Sequence, residues 1–266
     1  MNIAKAHAYG NDFLLAPADA AVGDLPSLAR ALCDRHTGVG GDGVVLYTLR
    51  DRGATMRLLN ADGSWSELSG NGLRCLAALL ARAQGLRPGT TVTVDSDAGV
   101  KTLELLSQTG QRYAFRADMG QPTEIRQTAI SVLGETITVT VLRTGNPQCV
   151  ILGPLPTADR FTALGAALST HPMFPAGTNV EFAQVEAPDR VRIVIWERGV
   201  GPTSSSGTGS TAAAVAAAAH GGASRVVDVI APGGVQRVEW QESGAFLTGW
   251  AELVMDGRWL GREGTR

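Results

Sequence analysis

The chain has 266 residues, 44% of them hydrophobic and 18% charged, and a formal net charge of -2. That is a globular composition, enough for one large domain or two ordinary ones, and the charge balance excludes the basic surface of a nucleic-acid binder. Cys33, Cys75 and Cys149 are odd in number and widely spaced, which excludes a disulfide framework and a zinc cluster and points to the cytoplasm.

In chain order, residues 1–5 open on a strand-like pattern with no charged-then-apolar export signal. "DLPSLARALCDRH" reads as a helix with Asp24 in the capping position. "TMRLLN" is a strand, and "NGLRCLAALLARAQGL" a second helix entered through a Ser-Gly turn. The runs "TVTVDSD", "VKTLELL", "RYAFRADM", "ETITVTVLR" and "QCVILG" are short, rich in Val, Ile and Thr, and bounded by Gly, Pro or Asp, as strands are. "DRFTALGAALSTHP" is a helix following Asp159. "NVEFAQVE" and "RVRIVIWERG" are strands, and "GSTAAAVAAAAHGG" is a helix entered through another Ser-Gly turn. It carries no charged face, so Ala212 to Ala219 are expected to be buried, with strands close on all sides. "RVVDVIAP", "QRVEW" and "AFLTGWAELV" finish the pattern. The longest apolar stretch, Thr211 to Ala219, is too short to cross a bilayer.

The chain repeats itself. Ser69-Gly70-Asn71-Gly72 returns 137 positions later as Ser206-Gly207-Thr208-Gly209, Gly10-Asn11 returns 135 positions later as Gly145-Asn146, and Gly40 returns 137 positions later as Gly177. The fold expected is α+β, with two pseudo-symmetric domains, each a mixed sheet rolled around a central helix. The halves are 1–118 and 119–254, breaking near Asp118 to Pro122, with the strand of 255–266 able to return to the first half.

A helix N-terminus presents unpaired N–H groups and a partial positive charge, and glycines let a ligand approach its backbone. One such turn suits a carboxylate; two could hold one between them. Ser69 and Ser206 each also read as ordinary helix caps. Glu197 and Arg198 end an apolar strand and read either as a clamp for an amino acid or as a surface ion pair. Asn11, Asn60, Asn146 and Asn179 sit beside turns or strand ends, where asparagine is common for local reasons. The four histidines show no ligand spacing, and no metal site is expected.

Taken together, "HAYGNDFLL", "RHTGVGGDG", "NADGSWSELSGNGLRC", "TGNPQCV", "GTNVEF" and "ERGVGPTSSSGTGS" resemble the diaminopimelate epimerase family in order and spacing. The resemblance implies a cofactor-independent isomerase with its site in the cleft between two similar domains. It would convert LL-diaminopimelate to the meso form, on the route to lysine and peptidoglycan. Two cysteines, one from each domain, would flank the α-carbon, one removing a proton and the other delivering one to the opposite face. The substrate-binding positions match Asn11, Asn60, Asn146, Asn179, Glu197 and Arg198, and the carboxylate-holding helix ends match Gly70-Asn71 and Gly207-Thr208. The two cysteine positions match Ser69 and Ser206, and Cys75 falls in the ordinary "RC" position inside the helix. A small-molecule amino acid is the expected partner, with a homodimer as the assembly and neither nucleic acid nor membrane involved.

The chain departs from the family pattern elsewhere too. Gln148 stands where a histidine often follows "GNP", Pro202 replaces an acidic residue, and Gly43 stands where a glutamine can occur. Serine is a far weaker acid than cysteine and needs an adjacent base. Two rival readings therefore accompany the epimerase reading. One is a superfamily isomerase or dehydratase for another amino or unsaturated acid, with Glu67 and Glu197 as candidate acids. The other is a non-catalytic amino-acid binder.

Overall fold

The structure, a computed structural model, describes residues 1–261. The chain forms two compact units. One comprises Met1–Ala117 and the described residues 249–261; the other is Asp118–Thr248.

The first stretch of chain contains β1 (Asn2–Ala8), β2 (Asn11–Pro17), α1 (Leu25–Cys33), β3 (Gly43–Arg50), β4 (Gly53–Asn60), β5 (Trp65–Ser66), α2 (Gly70–Gln84), β6 (Thr91–Ser96), β7 (Gly99–Thr109) and β8 (Arg112–Gly120). The second contains β9 (Thr123–Val132), β10 (Glu135–Arg143), β11 (Pro147–Leu152), α3 (Ala158–Ser169), β12 (Asn179–Ala187), β13 (Arg190–Glu197), β14 (Gly201–Thr203), α4 (Gly207–His220), β15 (Val226–Ala231), β16 (Gly234–Gln241) and β17 (Gly244–Arg258). Met255, where the sequence places the start of the returning strand, lies inside β17.

In the first unit the strands run β17-β1-β2-β3-β4-β6-β7-β8, and every pairing is antiparallel except β2 with β3 and β4 with β6. The sheet wraps α2, whose residues from Asn71 to Ala81 are all buried. Gly85 ends that helix in the left-handed conformation, φ 60°, which glycine adopts without strain. α1 covers the outside of the sheet on β3 and β4. Asp24 caps it by accepting from the Ser27 N–H, and Ala29, Leu32 and Cys33 form its buried face.

The second unit runs β9-β10-β11-β12-β13-β15-β16-β17, with β14 on β13, and its parallel pairs are β11 with β12 and β13 with β15. Here α4 is the wrapped helix. Ala212 to Ala217 are buried as their composition implies, whereas Ala219 is exposed because the last turn runs out of the sheet. α3 lies against β12 and β13 and is capped by Thr157, two residues before the Asp159 of the sequence reading.

Element for element, the units repeat. β1 to β4 correspond to β10 to β13, α2 to α4, and β6 to β8 to β15 to β17. The parallel registers match as well: Phe13 faces Gly43 and Leu15 faces Val45, as Gln148 faces Asn179 and Val150 faces Glu181. This is an α+β fold built twice from mixed sheets, each rolled around its own central helix.

Candidate functional site

Ser69 and Ser206 are the N-caps of the two central helices. Both have extended backbones, and both accept a hydrogen bond from the third helical N–H, Gly72 and Gly209 respectively, at 3.1 Å. The first-turn N–H groups of Gly70, Asn71, Gly207 and Thr208 have no carbonyl to meet inside their helices, so each helix end is suited to an anion. Ser69 is partly exposed, whereas Ser206 is 6% exposed.

In the first unit, Asn11 and Asn71 are joined. Asn71 Nδ2 donates to Asn11 Oδ1 at 3.1 Å, and Asn11 Nδ2 donates to Asp42 Oδ2 at 2.7 Å. Asn71 Oδ1 accepts from the fully buried Arg74 one turn along α2. Behind them, Arg35 grips both oxygens of Asp12 at 2.7 and 3.1 Å and also reaches Asp42 at 2.8 Å, while Lys5 meets Asp12 at 3.0 Å. Partial burial raises the Asp12 pKa, but hydrogen bonds from Arg35 and Lys5 outweigh it and hold the carboxyl below its ordinary range. Asn60 sits opposite Gly43 in the β3–β4 ladder, with its Nδ2 on Ser64 Oγ at 2.9 Å. The Ala61 N–H donates to the Asp42 carbonyl at 3.0 Å, which ties the Asn60 turn to the Asp42 loop. A Cβ on Gly43 would lie 2.7 Å from the Leu59 carbonyl and 3.3 Å from the Phe13 ring, so this strand start excludes any side chain there without rearrangement.

In the second unit, Asn146 Oδ1 accepts from Gln148 Nε2 at 2.5 Å. Asn179 Oδ1 accepts the Arg198 N–H at 2.9 Å, which sets the end of β13 against the start of β12. The exposed Arg198 side chain donates to the Ala176 carbonyl at 2.8 Å and packs over Gly177, whose φ of 74° and missing Cβ admit it. Within its own unit, then, Arg198 acts as a loop clamp. Glu197 is partly exposed; Thr208 anchors its turn by accepting at its carbonyl from Thr144 Oγ1 at 3.2 Å. Pro202 lies in β14 and is exposed, and Glu67 is exposed ahead of α2.

Two groups escape a reading from sequence. Asp42 holds Asn11, and its only signal is its place in "GGDG". Glu181, in "NVEF", is fully buried on the face of β12 that meets α4, and neither carboxylate oxygen has a hydrogen-bond partner among the described residues. Burial, with the charge of Glu197 adding to it, drives its pKa well above the carboxylate range. The signal available was a lone acid in an otherwise apolar strand. The cysteines are no candidates for proton transfer. Cys75 is fully buried within α2, and burial pushes its thiol up to about 12. Burial likewise raises Cys33 to about 12, and raises Cys149, where Glu181 adds to the effect.

The sequence model of the family described as diaminopimelate epimerase matches residues 3–125 and 140–254. The chain is 41% identical to the diaminopimelate epimerase of Desulforudis audaxviator, over 98% of this chain and 99% of that one. Among solved structures, a predicted epimerase of Pseudomonas aeruginosa matches with a TM-score of 0.73 at 16% identity, covering 98% of this chain and 99% of the other. A probable proline racemase of Agrobacterium radiobacter matches with a TM-score of 0.72 at 18% identity, covering 97% and 92%. At such identities the likeness is one of fold. Family match, relative and repeated helix-cap geometry agree: the chain belongs to the diaminopimelate epimerase family.

Proposed function

We propose that the protein epimerises LL-diaminopimelate to the meso form, with Ser69 and Ser206 taking the two proton-transfer positions, one for each face of the α-carbon. The observation that supports this is the duplicated cap: two serines, each on its own helix N-terminus, each followed by Gly-x-Gly, at the family's motif positions. Gly70, Asn71, Gly207 and Thr208 supply backbone donors for the carboxylate of the reacting centre. Helix-end dipoles stabilise the negative charge that develops when the α-proton leaves. Asn11, Asn60, Asn146, Asn179, Glu197 and Arg198 bind the remaining polar groups of the substrate. No cofactor is needed for this chemistry, because proton removal and return occur at one carbon. We assign the protein to the cytoplasm, as a homodimer on the lysine route.

Serine makes the reaction demanding. A hydroxyl near a helix end is still a weak acid, so each proton transfer needs a partner for the oxygen. The test is solvent exchange. Incubation with LL-diaminopimelate in deuterated water should yield meso product carrying deuterium at the inverted α-carbon. Absence of deuterium at any pH removes the epimerase assignment. Turnover of a β,γ-unsaturated acid in its place would establish the superfamily-isomerase alternative, and stoichiometric binding without turnover the binder.

A further inference from the structure

The internal repeat supplies its own control. Gly72 and Gly209 hold the same position, third in their helices and hydrogen-bonded to their capping serines. A Cβ on Gly72 would meet Ser69 Cβ at 3.4 Å, the Phe13 ring at 3.5 Å and Val45 Cγ2 at 3.5 Å. By strand register, the counterparts of Phe13 and Val45 are Gln148 and Glu181. A Cβ on Gly209 would meet Glu181 Oε1 at 2.7 Å and both Cβ and Oγ of Ser206 at 3.2 Å. Thus where the first unit seats an aromatic ring and a valine beneath its serine turn, the second seats the Glu181 carboxyl, with Gln148 at the register position of the ring.

The apolar arrangement shows that the fold does not require polar groups there. An unpartnered buried carboxyl is unfavourable compared with a valine in the same place. Glu181 Oε1 and Ser206 Oγ border the same Cβ-sized space under α4. The charged or titratable neighbours acting on Glu181 are Glu197 on β13 and Cys149 on β11. α4 contributes only its polar N-terminal turn, since His220 lies at its far end.

We propose that Glu181 is the proton partner of Ser206, a positioning residue that acts through the serine hydroxyl. This rests on the assignment of Ser206 to proton transfer. In the delivering step, the Ser206 O–H bond breaks as the α-C–H bond forms. The Glu181 carboxylic acid then gives its proton to the serine oxygen and is left as carboxylate, and solvent restores that proton after release. In the removing step the same bonds run in reverse. Contact is made by rotation of the Ser206 side chain or through one water. The Ser69 turn has Val45 in the equivalent place, and the partly exposed Ser69 exchanges its proton with solvent instead, so the two faces of the substrate are served unequally.

The experiment uses the full chain and two variants: Glu181→Gln, which keeps the shape without an exchangeable acid, and Glu181→Val, which copies the first unit. LL- and meso-diaminopimelate are incubated separately in deuterated water, and the diastereomers are separated before α-deuterium is measured. Both variants should lose about 100-fold or more in inversion, the usual contribution of a positioned acid or base. One diastereomer should still take up deuterium with retention, through the Ser69 face. A third variant, Glu181→Asp, which keeps an acid on a shorter arm, should recover part of the inversion. Equal loss of inversion and of exchange with retention, or no loss, overturns the role of Glu181 while leaving the epimerase reading standing. No exchange in the unaltered protein overturns both.

Discussion

Asn71 donates to Asn11 across 3.1 Å, from the first turn of α2 to the start of β2. The same amide accepts from Arg74, whose guanidinium is fully buried, with Nε and Nη1 making no hydrogen bond among the described residues. One asparagine therefore fixes a candidate substrate-binding side chain and satisfies part of a buried cation. Asn71→Ala should cost about 1–3 kcal/mol, because it leaves the arginine still less paired. Denaturant unfolding measures this, and a loss below about 0.5 kcal/mol would show that the link carries little.

Restoring the family's thiols tests the substrate assignment independently of the natural side chains. A thiol has a pKa near 8.5, lowered further at a helix N-terminus, where serine stays protonated. Ser69→Cys with Ser206→Cys should raise epimerase turnover at pH 7–8, followed by the same deuterium assay. Stability should fall, since sulfur is a poor cap acceptor; serine-cap loss typically costs about 1 kcal/mol per helix. A double variant that is folded and still does not act on diaminopimelate would send the substrate assignment back to the superfamily.

The two cap glycines should respond oppositely to the same change. Around Gly72 an added methyl meets only ordinary contacts of 3.4–3.5 Å, so Gly72→Ala should be neutral or stabilising by up to about 1 kcal/mol. Gly209→Ala drives a methyl to 2.7 Å from Glu181 Oε1 and should destabilise, by about 1–3 kcal/mol for overpacking. Combining it with Glu181→Val should recover most of that loss. A double-mutant cycle showing simple additivity would count against the geometry under α4.

Glu181 also sets a pH trend in stability. Its folded pKa lies above the 4.5 of an unperturbed glutamate, so between those values the folded state holds the proton that the unfolded chain has lost. Stability from this group is complete below about pH 4.5 and declines as pH rises toward the folded pKa. Relative to Glu181→Gln, the unaltered protein should therefore become progressively less stable from pH 5 upward. Parallel melting curves for the two proteins across that range would contradict it.

How much of this was open to a reader of the sequence depends on the residue. The helices announced themselves through Asp24, the two Ser-Gly turns and the alanine run, since caps and periodicity are local. The α3 start shifted to Thr157 because two hydroxyl or acidic residues competed for one cap. β3, "GVVLYTLR", reads as an undivided apolar run with no alternation, because its first half is buried on both faces. β9 hides for the opposite reason, as its mostly exposed polar residues look like a loop. Ser69, Ser206, Asn11 and Asn146 were marked by the repeat, and Asn60 and Asn179 by the family resemblance alone. Glu181 was not, because its meaning comes from what its counterpart Val45 is, and that pairing needs strand register.

The second unit is continuous in the chain, whereas the first is closed only by residues from Gly249 onward, where β17 pairs with β1. On the ribosome, β1 emerges before the rest of its unit but waits for a partner made more than 240 residues later. The half that emerges earlier is thus the half that folding completes later, and until then it presents a bare strand edge to whatever chaperone or neighbouring nascent chain meets it.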